Sequence, residues 1–142
     1  MVVKRSGSDW ADTSRSLIDA IERRGLTVFA RIDHAAGARA VGLELSDEEV
    51  VLFGSPQSGT PLMQDDRRVG IELPLRMLVW REGEDVLLGY NDPRELTQTY
   101  QVIGHQATLE QMASLLEALA DEAAGQARTS PSVASGGSAT SS

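Results

Sequence analysis

The chain of 142 residues contains no cysteine, one lysine, and only two each of tryptophan, tyrosine and phenylalanine. Without cysteine there is no disulfide, no thiolate metal site and no thiol nucleophile. No window holds 18 apolar residues, so a membrane-spanning helix is not expected. The opening Met1-Val2-Val3-Lys4-Arg5-Ser6-Gly7-Ser8 has no apolar export segment, and a cytoplasmic location is the expectation. Positive charge is scarce as well. The chain has 13 basic against 21 acidic residues, a formal net charge of −8. All the acids fall at or before Glu122. Such a surface lacks the basic footprint that neutralises phosphates, so no nucleic-acid partner is expected.

What remains reads as one α+β domain over residues 1–125, followed by a tail. Residues 126–142 are rich in Ser, Gly and Ala with one large apolar side chain, Val133, and are expected to be disordered. Ser8 or Asp9 can cap a first helix that ends before Gly25. Leu26 to Asp33 alternates as a strand, with Leu26, Val28, Ala30 and Ile32 on one face and Phe29 and Arg31 on the other. Asp33 can cap a short helix over 34–43. Val50 to Phe53 is apolar without alternation, which predicts a strand covered on both faces. Gln57–Gly59 predicts a turn, and Thr60-Pro61 a helix start running to about Arg68. Leu75–Arg81 and Val86–Tyr90 form a hairpin around Gly83, in which Trp80 and Tyr90 are possible neighbours. The closing helix starts at the capping box Thr108-Leu109-Glu110-Gln111 and carries an apolar stripe from Leu109 to Ala123.

Several stretches resemble a known family. They are Gly25 to His34, then Phe53-Gly54-Ser55-Pro56 with Gly59-Thr60-Pro61-Leu62-Met63, then Leu73-Pro74-Leu75 leading into Val79-Trp80, and Tyr90-Asn91-Asp92-Pro93. In order and content they are similar to the domain of unknown function family numbered 302. The resemblance implies a TATA-binding-protein-like fold, β-α-β(4)-α, with a mostly antiparallel sheet and helices on one face. It implies no activity. A sheet used as a saddle on DNA needs arginine and lysine on its open face, which this acidic chain does not supply.

Three sets of residues carry candidate chemistry. Asp33 beside His34 could orient a general base, with Asp92 supplying a second carboxylate; this is the enzyme reading, a small hydrolase or isomerase. The bland account is that Asp33 caps a helix and His34 sits in its first turn. The glycine-flanked segment with Gly54, Ser55, Pro56, Gly59 and Thr60, joined by Asn91 at the same rim, could hold a small polar or anionic ligand. The same residues also suffice for a turn and a cap. Finally, Phe29, Leu78 and Trp80 are expected on the second sheet face, where either a homodimer or the short helices at 34–43 and 60–68 folding across it would bury them. Two histidines 71 positions apart do not make a metal site, and no cofactor is expected. The sequence therefore favours a homodimeric small-ligand-binding module over the enzyme. A protein-interaction module without a pocket is the third reading.

Overall fold

The computed structural model describes residues 1–125, so the tail at 126–142 lies outside the described residues. Five strands and four helices follow one another as β1 (Val2–Arg5), α1 (Trp10–Arg23), β2 (Thr27–Asp33), α2 (His34–Ala40), β3 (Glu48–Gly54), α3 (Pro56–Asp65), β4 (Leu75–Glu82), β5 (Asp85–Tyr90) and α4 (Gln106–Ala123). Three short 3-10 turns at Arg67–Glu72, Pro93–Gln98 and Ile103–His105 complete the chain. The strands form one antiparallel sheet in the order β1-β5-β4-β3-β2. With the short insertions set aside, this is the β-α-β(4)-α order of a TATA-binding-protein-like sheet.

The two long helices pack on each other and on one face of the sheet. Asp9 starts α1 by accepting a hydrogen bond from the backbone N–H of Asp12 at 2.8 Å. Leu17, Ala20 and Ile21 of α1 and Leu116, Leu119 and Ala120 of α4 meet Val51, Phe53, Met77, Val79 and Leu88 of the strands. The whole apolar stripe of α4 is buried, as its periodicity predicts. Its start is not as predicted. The helix begins at Gln106, directly after a 3-10 turn, and no side chain caps it. The running backbone supplies the first turn, so the capping box at Thr108 goes unused.

Two expectations about the strands fail. β3 is covered on one face only: Glu49, Val51 and Phe53 are buried, whereas Glu48, Val50 and Leu52 are half-buried. In β2 the alternation is broken by a bulge between Val28 and Ala30, where Phe29 is the extra residue. Val28 pairs with Phe53 and faces the core, but Ala30 pairs with Leu52 and turns to the other face. The bulge thus reverses the predicted sides from Ala30 onward, and Arg31 turns towards the helices.

α3 also begins earlier than Thr60-Pro61 suggests. Ser55 caps it by accepting from the N–H of Gln57 at 3.3 Å, and Pro56 takes the first position. Pro61 lies inside the helix, one turn in, where its missing N–H removes a single intrahelical bond. The β4–β5 hairpin pairs Glu82 with Asp85 across Gly83 and Glu84. Gly83 has φ of 60°, the left-handed value that a two-residue hairpin turn requires.

The second sheet face lies on the side away from α1 and α4. It presents Val3 of β1, Leu87 and Gly89 of β5, Leu78 and Trp80 of β4, Val50 and Leu52 of β3, and Ile32 of β2, on the evidence of the strand registers. Trp80 lies against Gly89, where an added methyl would meet the indole ring at 3.0 Å. Tyr90, by contrast, is buried in the core, so the two aromatic residues sit on opposite faces and are not neighbours.

Candidate functional site

A cleft of about 470 Å3 opens at the end of the sheet where β3 passes into α3. Its walls come from four places. The bulge of β2 contributes Leu26 and Phe29, with Leu52 beside them from β3. The loop and first turns of α3 contribute Gly54, Ser55, Pro56, Ser58, Gly59, Thr60 and Met63. Gly70 and the run Leu73-Pro74-Leu75 form a third wall, and Thr108, Gln111, Met112 and Leu115 of α4 the fourth. In a chain of which 24% is charged, none of these side chains carries a charge. Polar groups sit only on Ser55, Ser58, Thr60, Thr108 and Gln111.

The walls are held together from beneath by side chains of the 3-10 turns. A satellite core of Leu62, Val69, Val102, Leu109 and Met112 joins α3 to α4. Around it, Tyr100 donates from its hydroxyl to Glu72 at 2.8 Å, and His105 Nε2 lies 2.6 Å from Asp65 Oδ2. Asp66 is the centre of this strap. Its carboxylate accepts from the Arg68 guanidinium at 2.9 and 3.0 Å, from the Gln101 N–H at 3.0 Å, and from the Arg68 N–H at 3.0 Å. The Arg68 guanidinium first, then the Gln101 N–H, hold the Asp66 carboxyl well below the usual carboxylate range.

A carboxyl depressed in the folded state binds its proton more readily when unfolded, so it stabilises the fold above pH ~4 and loses that contribution as the pH falls further. We therefore expect Asp66→Asn to lower Tm at pH 7 and to keep the larger part of that deficit at pH 3, where the folded-state carboxyl is still ionised. Thermal unfolding of both proteins at the two values checks it, and equal Tm values at pH 7 would remove Asp66 from the strap.

Of the ligand candidates, Gly54, Ser55, Pro56, Gly59 and Thr60 all line the cleft, and Asn91 does not. Phe29 also lines it, which the sequence did not indicate; the bulge carries its ring to the mouth, where it is half exposed. Leu78 and Trp80 lie on the open sheet face, apart from Phe29's new position. The catalytic candidates are not brought together. Asp33 caps α2 by accepting from the Ala36 N–H at 2.9 Å, and His34 is exposed in the first turn of that helix. Asp92 follows β5 and is engaged by Arg94 at 2.7 Å, a contact that also lowers its pKa. Because β3 and β4 stand between β2 and β5, at least ~14 Å of sheet separates Asp92 from Asp33.

Near the Asp33 end lies a second polar cluster that the sequence did not suggest. Glu49, almost fully buried, accepts from Arg31 Nε at 2.7 Å and from the Ser14 hydroxyl at 2.5 Å, while Arg31 also donates to Ser14 at 3.1 Å. Each polar group there has a partner within the protein, and the cluster does not border the cleft. Among the described residues no group of His, Asp and Glu side chains is placed to hold a metal ion.

An antiparallel five-stranded sheet backed by two helices, with an uncharged cleft at its end, defines a small two-layer α+β domain. The chain belongs to the family described as Domain of unknown function DUF302, whose model matches residues 2–121. A crystal structure of an uncharacterized conserved DUF302 protein from Bacillus stearothermophilus has the same fold, with a TM-score of 0.77 and 16% identity over 86% of this chain and 96% of that one. Curated relatives are longer proteins. The chain is 42% identical over 105 residues to "Fluoride-specific ion channel FluC 1" of Brucella suis, a match covering 68% of this chain and 41% of that protein. The protein of the same name from Brucella abortus matches at 42% over 68% of this chain and 39% of its own length. The chain thus spans about two fifths of the curated relatives it matches. No helix among the described residues is long and apolar enough to cross a membrane.

Proposed function

We propose that this domain binds a small, neutral, largely apolar molecule in the cleft between α3 and α4, and that it works as a homodimer. The supporting observation is the cleft lining. A volume of about 470 Å3 lies within the range of small-molecule sites, and such sites are mostly apolar with a few placed polar groups. An anionic ligand, the alternative raised by the α3 segment, would lack any basic side chain in the lining. Ten of the lining side chains are apolar, and the polar ones are Ser55, Ser58, Thr60, Thr108 and Gln111. A hydrolase or isomerase built on Asp33, His34 and Asp92 finds no support in their separation.

The support for the dimer is the second sheet face, where Val50, Leu52, Leu78 and Trp80 are only half-buried. Each large apolar side chain left wet forgoes about 1.5–3 kcal/mol of burial. A face of that kind on a small domain usually marks an interface.

One measurement addresses both. Native mass spectrometry of protein purified from its own host is expected to show twice the 15.3 kDa chain mass plus a retained small molecule. Thr60→Trp, at an exposed position of the cleft wall, is expected to remove the adduct and leave Tm within about 2 °C of the parent. A bare chain at every concentration and from every growth condition would end the ligand reading.

A further inference from the structure

We infer that the dimer is built by a two-fold axis running across the strands, so that β4 packs face to face on the partner's β4 in the opposite direction. This rests on the homodimer reading above and goes beyond it by fixing which residues meet. The carrying observation is the charge order on the open face of the central strand. Arg76, Leu78, Trp80 and Glu82 alternate away from the buried Met77 and Val79. The strand therefore presents a positive charge, two apolar side chains and a negative charge, in that order.

Only one of the two ways of stacking this face on itself agrees with that order. An axis along the strands would place Arg76 over the partner's Arg76 and Glu82 over the partner's Glu82. An axis across the strands places Arg76 over the partner's Glu82, and Leu78 over the partner's Trp80. The second arrangement makes two opposite-charge contacts per dimer around an apolar centre, the arrangement interfaces commonly adopt. Arg76 is exposed and donates to the Ile71 carbonyl at 3.3 Å, and it makes no ion pair among the described residues. Glu82 is exposed and already accepts from the Trp80 indole at 2.7 Å, which holds its carboxylate beside the apolar centre.

The area available also points to a second copy and says what completes it. Five strands about 4.8 Å apart and some six residues long offer on the order of 500 Å2 of flat sheet. A stable interface takes about 800 Å2 from each partner. The segment between α2 and β3 extends the face at Leu45, which is 45% exposed. Leu45 and Ser46 already border a groove with Leu78 and Trp80. Since Glu48 pairs with Trp80 and Leu52 with Arg76, the across-strand axis brings the partner's Ser46 opposite Leu52. Leu52 lines the ligand cleft, so the partner's 45–46 segment comes near that end of the cleft.

Sedimentation equilibrium of the full chain, of Arg76→Glu, of Glu82→Arg and of the double variant tests this. Both positions are exposed, and thermal unfolding confirms that each variant folds. Each single change sets two like-charge contacts in the dimer and is expected to raise the dissociation constant about tenfold or more. The double variant restores both pairs and is expected to return within about threefold of the parent. An equimolar mixture of the two single variants is expected to form heterodimers in preference to either homodimer. If the parent dimerises but the single changes do not weaken it, or the double change does not restore it, this geometry is wrong and the dimer stands. A parent that stays a monomer at 100 times the concentration of a typical assay overturns both.

Discussion

Phe53→Ala is expected to destabilise the protein by about 3–5 kcal/mol, the largest effect of any single apolar truncation in this chain. Phe53 is the largest fully buried side chain and sits near the end of β3. It pairs with Val28 on one side and Leu75 on the other, so its ring joins the edge strand, the central strand and the helical layer. Removing it leaves a void that three elements line. The neighbouring backbones are tied by ladder hydrogen bonds and can collapse into that void only in part, so a cavity cost adds to the lost transfer energy. Urea unfolding gives the number directly. A change below about 1 kcal/mol would mean that the sheet end beside the cleft is loosely packed and that α3 is not anchored by the core.

Arg31→Met is expected to cost about 2–4 kcal/mol, less than the full penalty for orphaning a buried charge because the guanidinium itself is half exposed. Glu49 supplies the cost. Its carboxylate is 5% exposed and would keep only the Ser14 hydroxyl as a partner. Methionine retains much of the arginine stem, so lost packing contributes little. The same hydrogen bonding to Glu49 holds the Arg31 guanidinium above its ordinary pKa. The companion experiment is Arg31→Met with Glu49→Leu. Because no charge is left without a partner, the double variant is expected to recover more than half of the loss. If the double variant is no better than the single one, the cost lies in backbone strain at the β2 bulge and not in the orphaned carboxylate.

Much of the architecture was legible along the chain because it depends on short-range rules. The apolar stripe of α4, the cap at Asp9, the hairpin at Gly83 and the faces of β4 each follow from residue spacing and turn chemistry within one element. The cleft residues Gly54 to Thr60 were legible for the same reason, since glycine, proline and hydroxyl side chains punctuate a strand-to-helix passage. Their use was not legible. A loop with free backbone N–H groups suggests an anion, yet whether any cation stands nearby depends on α4 and the 73–75 segment, which come later in the chain.

The bulge at Phe29 shows where local reasoning stops. Clean alternation from Leu26 to Asp33 is consistent with an unbroken strand, and nothing in those eight residues marks the extra one. The bulge becomes visible only against β3. There it lets Val28 stay in the core while Arg31 turns inward to Glu49, and it sends the Phe29 ring to the cleft instead of the open face. The Ser14–Arg31–Glu49 cluster is invisible for the same reason, because its members lie on three elements up to 35 positions apart.

By itself the sequence determined that the chain is acidic, free of thiols and built of strands and amphipathic helices, because composition and periodicity are additive along the chain, and the family resemblance implied the five-stranded order. Only the tertiary structure decided which side of β2 faces the helices, which walls enclose the cleft and that none of them is charged. Those properties belong to pairs of distant residues, and burial and electrostatics act through space.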